Sequence, residues 1–220
     1  MAHRDRRPSN PAGLATELPV AHPPTAQARD AASLIIWRQT PSGISMLMGL
    51  RGAKHRFMPN RLVFPGGAVD RADFHAPFAT PLPADTLRHL AKSATPELAQ
   101  GLALAAAREL EEETSLTLGC PPRLDGLYYL CRAVTPSSNP IRFNARFLVV
   151  DACRVSGVLA GSGELEQLRY YGLDEALAFE LAWVTRKVLG YLKLWLAMPQ
   201  PERLARSHTP VCESRTWTVE

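Results

Sequence analysis

Residues 105–114 read Ala-Ala-Ala-Arg-Glu-Leu-Glu-Glu-Glu-Thr. On a helix, Glu109, Glu112 and Glu113 fall on one stripe, and Leu98, Leu102, Ala105 and Ala106 continue that stripe toward the N-terminus. Carboxylates at i, i+3 and i+4 repel one another, and the C-terminal half of a helix is the unfavourable end for negative charge. A divalent cation would offset both penalties. Ligands that are all oxygen suit Mg²⁺ or Mn²⁺, which keep some waters and accept phosphate oxygens as further ligands. Arg108, one turn before Glu112, can brace that carboxylate, whereas Glu111 points to solvent. A solvated charged face is the competing reading of such a run. Its register counts against it, because the charges are collinear with the apolar stripe instead of opposite it.

The elements that must position this stripe can be traced along the chain. Thr95 is placed as N-cap and Pro96 at the first helical position, so the helix is expected from 96 to about 115. Residues 31–37 read as a buried strand, 41–43 as a turn and 44–49 as the returning partner, followed by a short strand at 61–64 running into Pro65-Gly66-Gly67. Prolines at 77, 81 and 83 make 71–95 an inserted, loop-like stretch around a short helix at 84–92. Strands are expected at 124–134 and 143–151, an extended piece at 164–173, and helical periodicity from Leu173 to Met198 with a break near 183–185. Residues 1–30, with five prolines and scattered charge, form an arm unable to offset its own ordering entropy. The expected organisation is therefore an arm at 1–30, a domain at 31–200 and a C-terminal tail at 201–220.

Composition narrows the function classes. The 220 residues carry 25 Lys+Arg against 21 Asp+Glu, a net charge of +4, and are 46% hydrophobic. That is enough apolar material for one domain, and the charge excess is too mild and too dispersed for a nucleic-acid platform. Cys120, Cys131, Cys153 and Cys212 form no CxxC pair and the histidines no ligand spacing, which disfavours zinc. With no apolar run of membrane length and no secretory pattern, the expectation is a soluble, cytoplasmic protein without membrane partners. Trp183, Tyr191 and Trp195 read as helix packing.

Arg108-Glu109-Leu110-Glu111-Glu112-Glu113-Thr114-Ser115-Leu116 resembles the second half of the Nudix box, GX5EX7REUXEEXGU with U aliphatic, and Phe64-Pro65-Gly66-Gly67 resembles its opening. Gly67 stands 41 positions before Arg108, so about 27 residues are inserted. Counting back from Arg108 places the box's first Glu on Gln100, and the Gly near its end is Ser115. A branch of Nudix hydrolases similar to coenzyme A diphosphatases has FPGG-x-x-D and a long insert, as in Phe64–Asp70 here. Its upstream pattern (R/S)SX3RX3GX3FPGG is met by Arg51, Arg56 and the FPGG, with Gly52 for its Ser and Asn60 for its Gly. Thr135-Pro136, Arg142–Phe147 and Gly163–Arg169 resemble further motifs of that branch.

The resemblance implies an α/β fold, a Nudix-like α/β/α sandwich with a mixed β-sheet, and Mg²⁺- or Mn²⁺-dependent hydrolysis of a nucleoside diphosphate derivative. Coenzyme A or acyl-coenzyme A is the implied substrate, ADP-ribose or a related compound the alternative, and a catalytically degenerate ligand-binding module a third. Glu109 and Glu113 are the expected metal ligands, with Glu112 as third ligand or water-activating base. Glu164, with Glu166 as its competitor, is the expected downstream acid. Gly66 and Gly67 would allow close approach of the backbone to substrate. Arg51, Arg56, Arg142 and Arg146 are candidate phosphate contacts, with Arg146 favoured for pocket lining by its place on a strand. A homodimer, with the arm packing on a partner subunit, is a further expectation.

Overall fold

Residues 31–37 alternate their side chains between two faces, and both faces are apolar, so the segment suits a strand covered on both sides. The computed structural model describes residues 26–53 and 57–220, and there this segment is the centre of β1 (Arg29–Thr40). The chain continues through β2 (Gly43–Arg51), β3 (Leu62–Val63), β4 (Gly66–Ala68), α1 (Ala84–Leu90) and α2 (Pro96–Thr114). Then follow β5 (Leu116–Thr117), β6 (Tyr128–Val134), β7 (Phe143–Asp151), β8 (Ser156–Gly157) and β9 (Leu165–Gly172). The last elements are α3 (Leu173–Ala178), α4 (Trp183–Ala197), α5 (Gln200–Ala205), β10 (Pro210–Glu213) and β11 (Thr216–Val219).

The main sheet is mixed, in the order β11-β10-β6-β7-β1-β2-β3, with β4 added to β1 and β9 to β2. β1 runs parallel to β7 and antiparallel to β2 at Trp37–Thr40, while its first half pairs instead with β4 at Ala31–Ser33. This divergence of β1 and β2 opens the space into which the Gly66-Gly67 strand fits. Ala32, Leu34 and Ile36 face Leu102, Ala106 and Leu110 of α2, and Ile35, Met46 and Met48 face Val188, Leu189 and Leu192 of α4. The result is the expected α/β/α sandwich.

The packing also settles the register of α2. Each fully buried Leu of its stripe contributes about 2 kcal/mol, against roughly 0.2–0.5 kcal/mol for each repelling carboxylate pair. The apolar contacts win, and the glutamates farther along the stripe are carried under the sheet with them. The ends of α2 lie where expected. The Thr95 side chain accepts from the Leu98 amide, Pro96 is at the first position, and Ser115 closes the helix at φ 59, the left-handed conformation for which the box uses Gly.

Three expectations about organisation are corrected. Residues 201–220 are not a tail: α5 is followed by the β10–β11 hairpin, and β10 extends the sheet by pairing with β6, burying Val211 and Cys212. Four-residue strands carry too little alternation to be recognised alone; the open edge of β6 is what orders them. At the other end, Arg29 and Asp30 belong to β1 because β7 pairs with them, while the rest of the arm, residues 1–25, lies outside the described residues. The insert contains the expected α1, but its flanks are pinned. Arg71–Phe74 forms a 3-10 turn, Ala79 bonds Pro122, and from α1 and the turn after it Arg88 and Lys92 reach carbonyls of Leu204 and Ser207. The helical break after α3 falls at residues 179–182. Among the described residues no helix is long and apolar enough to cross a membrane.

Candidate metal and diphosphate site

The site is built where the C-terminal half of α2 passes under β4. Glu113 is buried, and its Oε2 accepts a hydrogen bond of 2.9 Å from the Gly66 amide. Glu109, half-buried one turn earlier, lies against Gly67 so closely that a Cβ there would collide with its carboxylate. Gly66 itself has φ +150, and a side chain at that position would strike the Ala32 carbonyl of β1. The two glycines thus do more than expose backbone to a ligand. They let the carboxylates of α2 reach the rim of the sheet.

Arg108 organises the acidic group. Its guanidinium donates to Asp73 at 3.0 and 3.1 Å, to Glu109 and Glu112 at 2.9 and 3.0 Å, and to the Ala68 carbonyl at 3.0 Å. Asp73 is the residue missed in the sequence. Counted forward from Gly67 it occupies the first acidic position of GX5E, so the insert lies after it, and the assignment to Gln100 is corrected. The count back from Arg108 failed because the inserted residues separate Asp73 from Arg108.

The electrostatics show what the group lacks. Burial pushes the Glu113 carboxyl up to about 7, with Glu109 and Glu164 adding repulsion and the Gly66 amide and Arg51 opposing it. Burial also raises Glu109, against the pull of Arg108 and with help from Glu112 and Glu164. Arg108 is held further toward its charged form, chiefly by Asp73. Glu113 and Glu109 therefore ionise reluctantly as they stand, and a cation beside them would restore their charged forms. Among the described residues no three carboxylate, imidazole or thiol side chains converge as a complete metal cage. The donor set still fits a hard divalent ion, since Mg²⁺ is commonly held by one or two carboxylates, with waters and substrate phosphate oxygens completing the shell.

The other expected residues fall on either side of this centre. Glu112 lies on the exposed rim with its carboxylate engaged by Arg108. Glu164 sits on the loop before β9, near enough to repel both Glu109 and Glu113, whereas Glu166 is an exposed residue of β9. Arg51, at the end of β2, lines a cavity of about 400 Å³ that also contains Gly66 and Gly67. Arg56 lies outside the described residues. Asn60 takes φ 55, the left-handed conformation for which the resembled pattern has Gly.

Arg146 is a correction. Its side chain is fully buried, paired with Asp30 and donating to the carbonyls of Asn144 and Ser93, and it does not line the cavity beside Gly66 and Gly67. Strand alternation identified its face but not that α2 and the insert cover that face. Arg142 is likewise occupied, donating to carbonyls of Thr135 and Ala26. The aromatic residues read as packing do pack, Trp183 and Tyr191 against Trp217 and Trp195 against Tyr128, while Trp183 is also half-exposed and lines the cavity. Phe57 and Phe143 form another part of its wall, edge to face at 4.9 Å.

No protein-family model matches the chain. A Caenorhabditis elegans protein described as nudix hydrolase 7 is 47% identical over 49 residues, a stretch covering 22% of this chain and 16% of that protein. The chain thus spans a small part of the curated relative it matches. Among solved structures, a Nudix hydrolase from Alicyclobacillus acidocaldarius superposes with a TM-score of 0.58 at 23% identity, covering 74% of this chain and 90% of that one. The Nudix domain of Shewanella oneidensis NrtR, solved with ADP ribose, superposes with a TM-score of 0.51 at 13% identity, covering 80% and 95%. A MutT Nudix hydrolase from Burkholderia pseudomallei superposes at 0.50 with 21% identity, covering 76% and 99%. The mixed sheet and its two helical layers are therefore those of the Nudix hydrolase fold.

Proposed function

We propose that the protein is a Mg²⁺- or Mn²⁺-dependent hydrolase of the diphosphate linkage in a nucleoside diphosphate derivative, with coenzyme A or acyl-coenzyme A as substrate. The observation that carries the reading is the pair Glu109 and Glu113, drawn under Gly66-Gly67 at the mouth of a cavity that Arg51 also lines. Glu109 and Glu113 would hold the ion, which when bound neutralises charge on the diphosphate and acidifies a water. Arg51 would bind phosphate oxygens, and Arg108 holds Glu109 and Glu112 in place. Glu164, which carries no ion pair among the described residues, would accept a proton from water; Glu112, bound to Arg108, is less free to do so.

The coenzyme A assignment rests on the sequence motifs around Arg51 and the FPGG. A second reading, an ADP-ribose hydrolase or binding module, is supported by the ADP ribose in the Shewanella oneidensis domain. The deciding experiment is a panel of coenzyme A, acyl-coenzyme A, ADP-ribose, NADH and dinucleoside polyphosphates incubated with Mg²⁺ or Mn²⁺, with products identified by mass spectrometry. Cleavage of coenzyme A to phosphopantetheine and adenosine 3′,5′-bisphosphate at the highest kcat/KM is expected. Preference for ADP-ribose would replace the substrate assignment. Binding without cleavage, unchanged by Glu113→Gln, would replace the enzyme by a binding module.

A further inference from the structure

The end of the cavity away from α2 is formed by the start of α4 and the β10–β11 turn: Ala182, Trp183, Val184, Thr185 and Arg215 all line it. The first intrahelical bond of α4 runs from the Arg186 amide to the Ala182 carbonyl, and no side chain caps the turn before it. The amides of residues 183–185 therefore keep the partial positive charge of a helix N-terminus. Thr185 is 5% exposed, its side chain lines the cavity, and its hydroxyl makes no hydrogen bond among the described residues. A cavity-lining hydroxyl that no protein group engages is free to donate to a ligand. Arg215 is exposed at φ 63 in the turn and pairs with no carboxylate among the described residues. Between this end and Arg51 the wall is apolar, with Phe57, Phe64, Phe143 and Phe147.

We infer that the cavity holds a second anion subsite, formed by the first turn of α4, Thr185 and Arg215, that selects substrates carrying a phosphate monoester in addition to the diphosphate. The inference rests on the diphosphate reading above and deepens it. The subsite contacts no reacting atom. It supplies charge-assisted hydrogen bonds to a terminal phosphate while the apolar wall covers the body of the substrate between the two anionic positions.

Matched pairs differing by one phosphate test it: coenzyme A with dephospho-coenzyme A, and NADPH with NADH. In at least one pair the phosphorylated member is expected to be cleaved about tenfold or more efficiently, mainly through KM, the range of one charged hydrogen bond. Arg215→Gln and the near-isosteric Thr185→Val should each bring that ratio severalfold closer to one. Equal efficiency in both pairs overturns the subsite and leaves the diphosphate reading intact. If the wild-type protein cleaves neither pair, that reading fails instead, and the subsite is judged by calorimetry with adenosine 3′,5′- and 2′,5′-bisphosphate against AMP. Tighter binding of a bisphosphate that Arg215→Gln removes would sustain it, and equal binding would overturn it.

Discussion

Arg108 and Asp73 lie 35 positions apart, yet the guanidinium addresses both oxygens of the Asp73 carboxylate, at 3.0 and 3.1 Å. Asp73 is buried and Arg108 partly so, which makes the pair a fixed support for the acidic face of α2. Through it the segment between β4 and α1 is tied to the two glutamates that Arg108 also touches.

Asp73→Ala should therefore do two things. Leaving Arg108 without its main partner is expected to destabilise the fold by about 2–4 kcal/mol in urea unfolding. Hydrolysis should also fall by at least about tenfold, because Glu109 and Glu112 lose their brace. Gln100→Ala, at the position the backward count selected, should stay within about 0.5 kcal/mol of wild type.

Gly67→Ala tests the seat of Glu109. The added methyl has no space beside the carboxylate, so Glu109 must turn away from β4. Mn²⁺ affinity, followed by electron paramagnetic resonance, should drop about tenfold or more while the far-ultraviolet circular dichroism is kept. Unchanged affinity would remove Glu109 from the ligand set.

Glu113 predicts a pH dependence of the metal-free protein. Its carboxyl is raised from 4.5 to about 7, so the folded state binds the proton more tightly than the unfolded chain does. The group's contribution is complete below pH 4.5 and is lost as pH rises through 7, a difference of about 3 kcal/mol. Glu113→Gln should stabilise the metal-free protein by up to about that amount at pH 8 and change little at pH 4.5. Mn²⁺ should reverse the order, because only the ionised wild-type carboxylate binds it.

His89 predicts the opposite slope. Its Nδ1 meets the Thr209 hydroxyl at 2.8 Å, its Nε2 is buried without a partner, and burial with Arg206, Lys92 and Arg88 nearby lowers it to about 4. The neutral ring is favoured in the fold. Its contribution is complete above pH 6.5 and is lost as pH falls through 4, again about 3 kcal/mol. Compared with His89→Gln, the wild type should lose more stability between pH 7 and pH 4.5 in urea titrations. Parallel losses in the two proteins would show that the ring is protonated in the folded state.

What could be read from the residues alone was local. The cap at Thr95-Pro96, the apolar stripe of α2 and the collinear glutamates are set by neighbours within one helix, so 3.6-residue periodicity carries them. The two-sided apolar run of β1 identified a central strand for the same reason, and the run of motifs pointed to the fold. Tertiary structure decided the rest, because it depends on which surfaces meet. Arg146 reads as a strand arginine facing a ligand until Asp30 and the Ser93 carbonyl close over it. The last twenty residues read as a tail until the edge of β6 pairs with them. Asp73 could be counted forward from Gly67, but its contact with Arg108 depends on the chain folding back across the insert, and loop length, which costs little free energy to extend, leaves no periodic trace of where such a contact will form.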